Sequence, residues 1–139
     1  MAEDAAHEMT TVYEQLSTLA GKVGGDRKAV QKLADSVFVA TAVETQVVYP
    51  ELEAREAGDA VVAAGGRRLD KLVALQEKAL AADPDAAGYE ETVRKFAAAA
   101  EKHAAHGTKD VVPLLAALPD KGSTQLGELV AQTRSTLSR

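Results

Sequence analysis

Ala40-Thr-Ala-Val-Glu44-Thr-Gln-Val-Val-Tyr-Pro50-Glu-Leu52 and His103-Ala-Ala-His-Gly107-Thr-Lys-Asp-Val-Val-Pro113-Leu-Leu115 are two versions of one pattern. Aligned on the proline, Glu44 and Gly107 each stand six residues before it, and Ala40 and His103 each stand ten before it. One copy holds a carboxylate without a histidine, and the other a histidine without a carboxylate. A His and a Glu four apart on a helix lie on one face, the arrangement by which helical bundles present paired ligands to a buried metal. Each stretch therefore reads as a helix that has kept half of such a pair.

Outward from these stretches the apolar residues recur at helical spacing. Ala5, Met9, Val12, Leu16, Leu19 and Val23 predict a first helix from about Glu3 to Val23, ended by Gly24-Gly25. Asp26 is placed to cap a long second helix, whose inner stripe of Val30, Leu33, Val37, Ala40, Thr41, Glu44, Val48 and Leu52 should bend or tighten around Val47 to Pro50. Gly58 marks a turn before a third helix with Val62, Leu69, Leu72, Val73, Ala79 and Leu80 inward, weakened by Gly65-Gly66. After the loop Ala82-Asp-Pro-Asp-Ala-Ala-Gly88, a fourth helix carries Val93, Phe96, Ala100, His103, Gly107, Val111 and Leu115, with an interruption near Pro113. Pro119-Asp-Lys-Gly122 should end it, leaving Ser123 or Thr124 to cap a short fifth helix at 123–137.

The 139 residues fit one domain, with a bundle over 3–118 and the fifth helix appended. Short turns between long amphipathic helices predict an all-α, up-down-up-down four-helix bundle. The chain has no cysteine, which excludes disulfides, thiolate metal sites and cysteine nucleophiles. A net charge of −5 without a long basic run argues against nucleic acid as a partner. No apolar stretch approaches a membrane span, and the acidic start Met1-Ala-Glu-Asp-Ala-Ala-His-Glu8 is unlike a signal peptide, so the expected setting is cytoplasmic with no membrane partner.

Val47-Val-Tyr-Pro-Glu-Leu52, Leu80-Ala-Ala-Asp-Pro-Asp85 and His103 to Leu115 together resemble the hemerythrin-like, HHE cation-binding family over practically the whole chain. The resemblance implies a bundle that holds a non-heme di-iron centre with several histidines and two bridging carboxylates, used to bind dioxygen or to sense and handle iron, oxygen and nitric oxide. Most of that set is missing here. The first-helix histidine position falls on Met9, the second-helix one on Ala40, the third helix has no histidine, and the fourth-helix carboxylate position is Gly107. Glu44 and His103 remain.

An ionised carboxylate on an inward stripe must be paired, hydrogen-bonded or metal-bound, so Glu44 is expected to meet His103 or to meet Arg67 or Arg68. His7 points about 200° from Met9 on an ideal helix. His106 shares the helical direction of Lys102 and Asp110, so His7 and His106 reach a metal only if the site is rearranged. Tyr49 and Pro50 are expected to pack and to bend the helix. The charge runs Glu51 to Glu56 and Glu90 to Lys95 read as solvated helix faces.

The expected function is that of a hemerythrin-like bundle that lacks the di-iron centre, carries no cofactor and binds a small molecule or a protein partner. The small residues Ala40 and Gly107, with Met9, predict a pocket in the bundle core at the vacated ligand level. The alternative is a metalloprotein or enzyme with one iron, zinc or manganese ion on Glu44, His103 and further histidines. A homodimer formed through a helix face is the third expectation.

Overall fold

The computed structural model describes residues 4–24, 26–55 and 58–137; the readings made above for Glu3, Gly25 and Glu56 lie outside these. Among the described residues every regular element is helical. Helix α1 (Ala5–Lys22) begins at Asp4, whose side chain accepts from the His7 amide at 2.8 Å. Asp26 caps α2 (Arg27–Val43) in the same way, accepting from the Lys28 amide at 3.0 Å. Both caps satisfy a helix-end N–H that has no partner within the helix.

The second rod continues without a break through a π-helical turn (Glu44–Val48) into α3 (Tyr49–Ala54). After α4 (Asp59–Ala81), the next rod repeats this plan: α5 (Tyr89–His106), a second π turn (Gly107–Val111) and α6 (Val112–Ala116). The bend or tightening expected around Pro50 and the interruption expected near Pro113 are both a widening of the helix. Proline lacks an N–H, and its ring collides with the carbonyl four residues back, at Gln46 for Pro50 and at Lys109 for Pro113. A turn with one extra residue relieves both conflicts. Its bonds run from the Tyr49 amide to the Glu44 carbonyl and from the Val112 amide to the Gly107 carbonyl, five residues back in each case.

The last helix, α7 (Asp120–Leu137), starts at Asp120, so Asp120 to Gly122 open this helix where they were expected to end the one before. Ser123 and Thr124, the two expected caps, both lie inside it, and the amide of buried Ser123 donates to the Pro119 carbonyl at 2.9 Å. Starting with its proline just ahead spares α7 the lost hydrogen bond that proline would cause further in. At 18 residues it equals α1 in length, so it is not a short appendage.

Helix α1 lies against α2, α5 and α7, and α4 against α5 and α2. Their inward stripes meet in one core that includes Leu16, Leu33, Val37, Leu72, Phe96 and Leu115, each 1% exposed or less. Arg27 fastens α2 to the end of α4, its guanidinium donating to the carbonyls of Ala79, Leu80 and Ala82. A cation is favoured at a helix C-terminus, where carbonyls lack amide partners. Arg134 of α7 reaches Glu8 of α1 at 2.9 Å, tying the last rod to the first. No helix among the described residues is long and apolar enough to cross a membrane.

Candidate functional site: a buried Glu44 cluster

Glu44 opens the first π turn and is completely buried. His103, 1% exposed on α5, places its Nε2 at 2.8 Å from Oε1 and 3.0 Å from Oε2 of that carboxylate. Two carboxylate oxygens can only accept, so Nε2 carries the hydrogen and donates. Tyr13 of α1 and Tyr49 of α3 each donate their phenol O–H to Oε2 at 2.8 Å. Three donors from three rods thus surround one carboxylate. This is the satisfaction that a buried carboxylate requires, and it comes from two phenols and an imidazole rather than from Arg67 or Arg68.

The two tyrosines reach Glu44 because of the backbone around them. On a regular helix Tyr49, five residues on, would point about 140° away from Glu44. The π turn bonds residue to residue at that same spacing and so stacks Tyr49 over Glu44. The glycines supply the room: a Cβ on Gly107 would overlap the Tyr13 ring, and one on Gly65 would overlap the Tyr49 phenol. Gly65 is therefore not merely a weak point of the third rod. The Tyr13 ring also meets His103 edge to face, with centroids 6.3 Å apart and planes at 77°.

Burial is the leading cause that holds both phenols protonated, and the Glu44 charge adds to it; Arg68 opposes it weakly. Tyr13 and Tyr49 consequently ionise well above the ordinary phenol range. His103 Nδ1 and Arg68 Nε are buried and lack a hydrogen-bond partner among the described residues.

Met9 and Ala40 are buried in the same core, as their positions on the stripes predicted. The space expected opposite Gly107, however, is taken by the Tyr13 ring. Volume surrendered at one position has been claimed by an aromatic ring from the facing helix, as close packing favours. His7 is exposed in the first turn of α1, and His106 turns to Asp110, with Nδ1 3.5 Å from the carboxylate. Neither joins Glu44, because the inward register of α1 belongs to Met9 and Tyr13, and that of α5 to His103 and Gly107. No group of three or more His, Asp or Glu side chains suited to hold a metal occurs among the described residues.

A di-iron cage therefore does not fit this site: the described residues bring one imidazole and one carboxylate to it, with Oε2 engaged by both phenols and His103, and Oε1 by His103. Tyr13 and Tyr49 as ligands of Glu44 were missed from sequence, although Tyr13 follows Met9 by four residues on the same stripe. An aromatic residue level with an unexplained glycine on a facing helix was the available signal.

Two of the surface grooves are set apart by their lining, one by an exposed phenylalanine and the other by four cations. One runs between α1, α2 and α7, with Leu19, Phe38 and Val39 on its sides and the Glu8–Arg134 pair on its floor. Phe38 is 56% exposed there. The other lies between α4 and α5 and is lined by Arg68, Lys71, Lys95 and Lys102. Comparison of the chain with protein-family models, with curated proteins and with solved structures returns no match.

Proposed function

We propose that this chain is a hemerythrin-like up-down-up-down bundle in which a hydrogen-bonded cluster has replaced the di-iron centre, and that it works as a cytoplasmic binding or interaction protein. The observation that carries this reading is the saturation of Glu44 by Tyr13, Tyr49 and His103. The repeated π turns, with Glu44 and His103 turned inward at the levels where the family holds its ligands, support the kinship. In the proposed history, the lost charge of the metals was compensated by two phenols and one imidazole, and the lost volume by the Tyr13 ring. The core then contributes stability, and binding falls to the surface grooves.

The rival reading places a single iron, zinc or manganese ion on Glu44 and His103. Such an ion would have to displace two phenol hydrogen bonds in a dry interior and would gain only two protein ligands. Metal analysis of protein produced in metal-supplemented medium and purified without chelator tests the two. The expected outcome is far less than one equivalent of any transition metal, with the same content in Glu44→Ala. Stoichiometric metal that disappears in Glu44→Ala would overturn the proposal.

A further inference from the structure

The groove between α4 and α5 gathers four cations in a chain whose net charge is −5. Arg68 and Lys71, three apart, share one face of α4. Lys95 and Lys102, seven apart, sit two turns apart on α5, about 10 Å along its axis. The four face each other across Leu75, Ala98 and Ala99, which form an apolar floor between the rods. None of them makes an ion pair with a described carboxylate; Glu91, whose charge is felt by Lys95, is bonded by Arg94. The groove is open to solvent and has a volume of about 380 Å³, within the range of small-molecule sites.

Four like charges brought together in this way repel one another, and no acid within the groove relieves them. Arg68 adds a second, independent sign. Its Nε is buried without a hydrogen-bond partner. This one N–H of the guanidinium lacks the acceptor that buried N–H groups ordinarily have. The three lysines are exposed, whereas Arg68 is partly buried.

We infer that this groove binds a small amphipathic anion, a phosphate monoester or carboxylate with an apolar body. The anionic group sits between Arg68 and the three lysines, and the apolar body lies on Leu75, Ala98 and Ala99. The inference holds whether or not the Glu44 cluster descends from a metal centre. The groove selects against inorganic phosphate, which makes no use of the floor, and against an uncharged amphiphile, which makes no use of the cations. A dissolved molecule is favoured over a membrane surface because the apolar lining is one leucine and two alanines, with no large side chain beyond Leu75 to enter a bilayer.

Titration calorimetry of the full chain with octyl phosphate, kept below its micelle concentration, tests this. The expected result is one saturable site that weakens as salt is raised. Octyl glucoside and inorganic phosphate should each bind at least about tenfold more weakly. Lys71→Glu combined with Lys102→Glu should weaken octyl phosphate about tenfold or more, since each reversal replaces an attraction by a repulsion. Both lysines are exposed, and an unchanged helical circular-dichroism signal and urea midpoint will verify that the variant folds. Absence of saturable binding, equal binding of octyl glucoside, or an unchanged affinity in the double variant would each overturn the inference. So would sedimentation with phosphatidylglycerol vesicles by a protein that does not bind monomeric octyl phosphate. Metal content plays no part in these readouts, so failure here leaves the reading of the core separately decided.

Discussion

Raising the pH should unfasten the Glu44 cluster at a rate fixed by two phenols. Tyr13 and Tyr49 are 1% and 5% exposed, and both are held protonated by burial first and by the neighbouring carboxylate second. In the unfolded chain they ionise near the ordinary value of about 10. Their folded values are raised, so the stability they confer is fully present below pH ~10 and is lost as the pH climbs towards the folded values. Above about pH 10 the unfolded chain has released two protons that the folded chain retains. At about 1.36 kcal/mol per proton and pH unit, the unfolding free energy should fall by about 2.7 kcal/mol per unit. Between pH 10 and 12 that amounts to about 5 kcal/mol, a large share of the roughly 5–15 kcal/mol that holds a typical domain together. Urea denaturation at intervals across this range measures it. The Tyr13→Phe/Tyr49→Phe protein supplies the background slope from lysine titration, and either single variant should show half the difference. Phenolate absorbance followed in the folded state gives an independent reading. Equal slopes in wild type and double variant, or ionisation of both phenols below pH 11 in the folded protein, would refute the account of a sealed cluster.

Truncation of the acceptor should cost more than removal of any donor. Glu44→Ala strands the hydroxyls of Tyr13 and Tyr49 and the His103 N–H, so a loss exceeding about 4 kcal/mol is expected in urea denaturation, against about 1.5–3 kcal/mol for Tyr49→Phe. The adjacent glycines of α4 should diverge: Gly66→Ala meets no atom within 4 Å and should gain about 0.5–1 kcal/mol, whereas Gly65→Ala strikes the Tyr49 phenol and should lower the melting temperature. Gly107→Ala should be the costlier, by about 1–3 kcal/mol, because its Cβ meets ring carbons of a fully enclosed side chain rather than a hydroxyl. Arg134→Ala should cost about 1–2 kcal/mol, between the values for surface and buried pairs, because its side chain is 25% exposed and that of Glu8 11%. A melting temperature unchanged within error would show that α7 is held by its apolar stripe alone.

The helical architecture was legible because Val30, Leu33, Val37 and Ala40, or Val93, Phe96, Ala100 and His103, can share a face only at helical spacing. The internal match on Pro50 and Pro113 went further, and located both places where the helical rods depart from regularity. Bending or tightening was expected at the first and widening at neither, since proline forbids one hydrogen bond but does not dictate how the turn adjusts. That choice depends on the residues downstream: widening keeps Val48 and Leu52 in the core and turns Tyr49 onto Glu44. Burial cost called for a partner to Glu44, and His103 was one of the alternatives beside Arg67 and Arg68. Tyr13 was not, because a one-dimensional pattern does not reveal that an aromatic ring from α1 fills what Gly107 leaves open. The start of α7 was hidden for a similar reason. Pro119 reads as a stop signal, yet a proline immediately ahead of a helix is compatible with its first turn.

The surplus residue in each widened turn makes the length of those rods, rather than their composition, the quantity under constraint. Excising exposed Gln46 would return this turn to ordinary α-helical spacing and leave Tyr49 to Ala54 in register, but it would set the Pro50 ring against the carbonyl then four residues back, at a cost of about 3 kcal/mol. Insertions or excisions in the loop at 83–87 carry no comparable cost. Length variants at these two places should therefore differ sharply in soluble yield, even though each lies at the molecular surface.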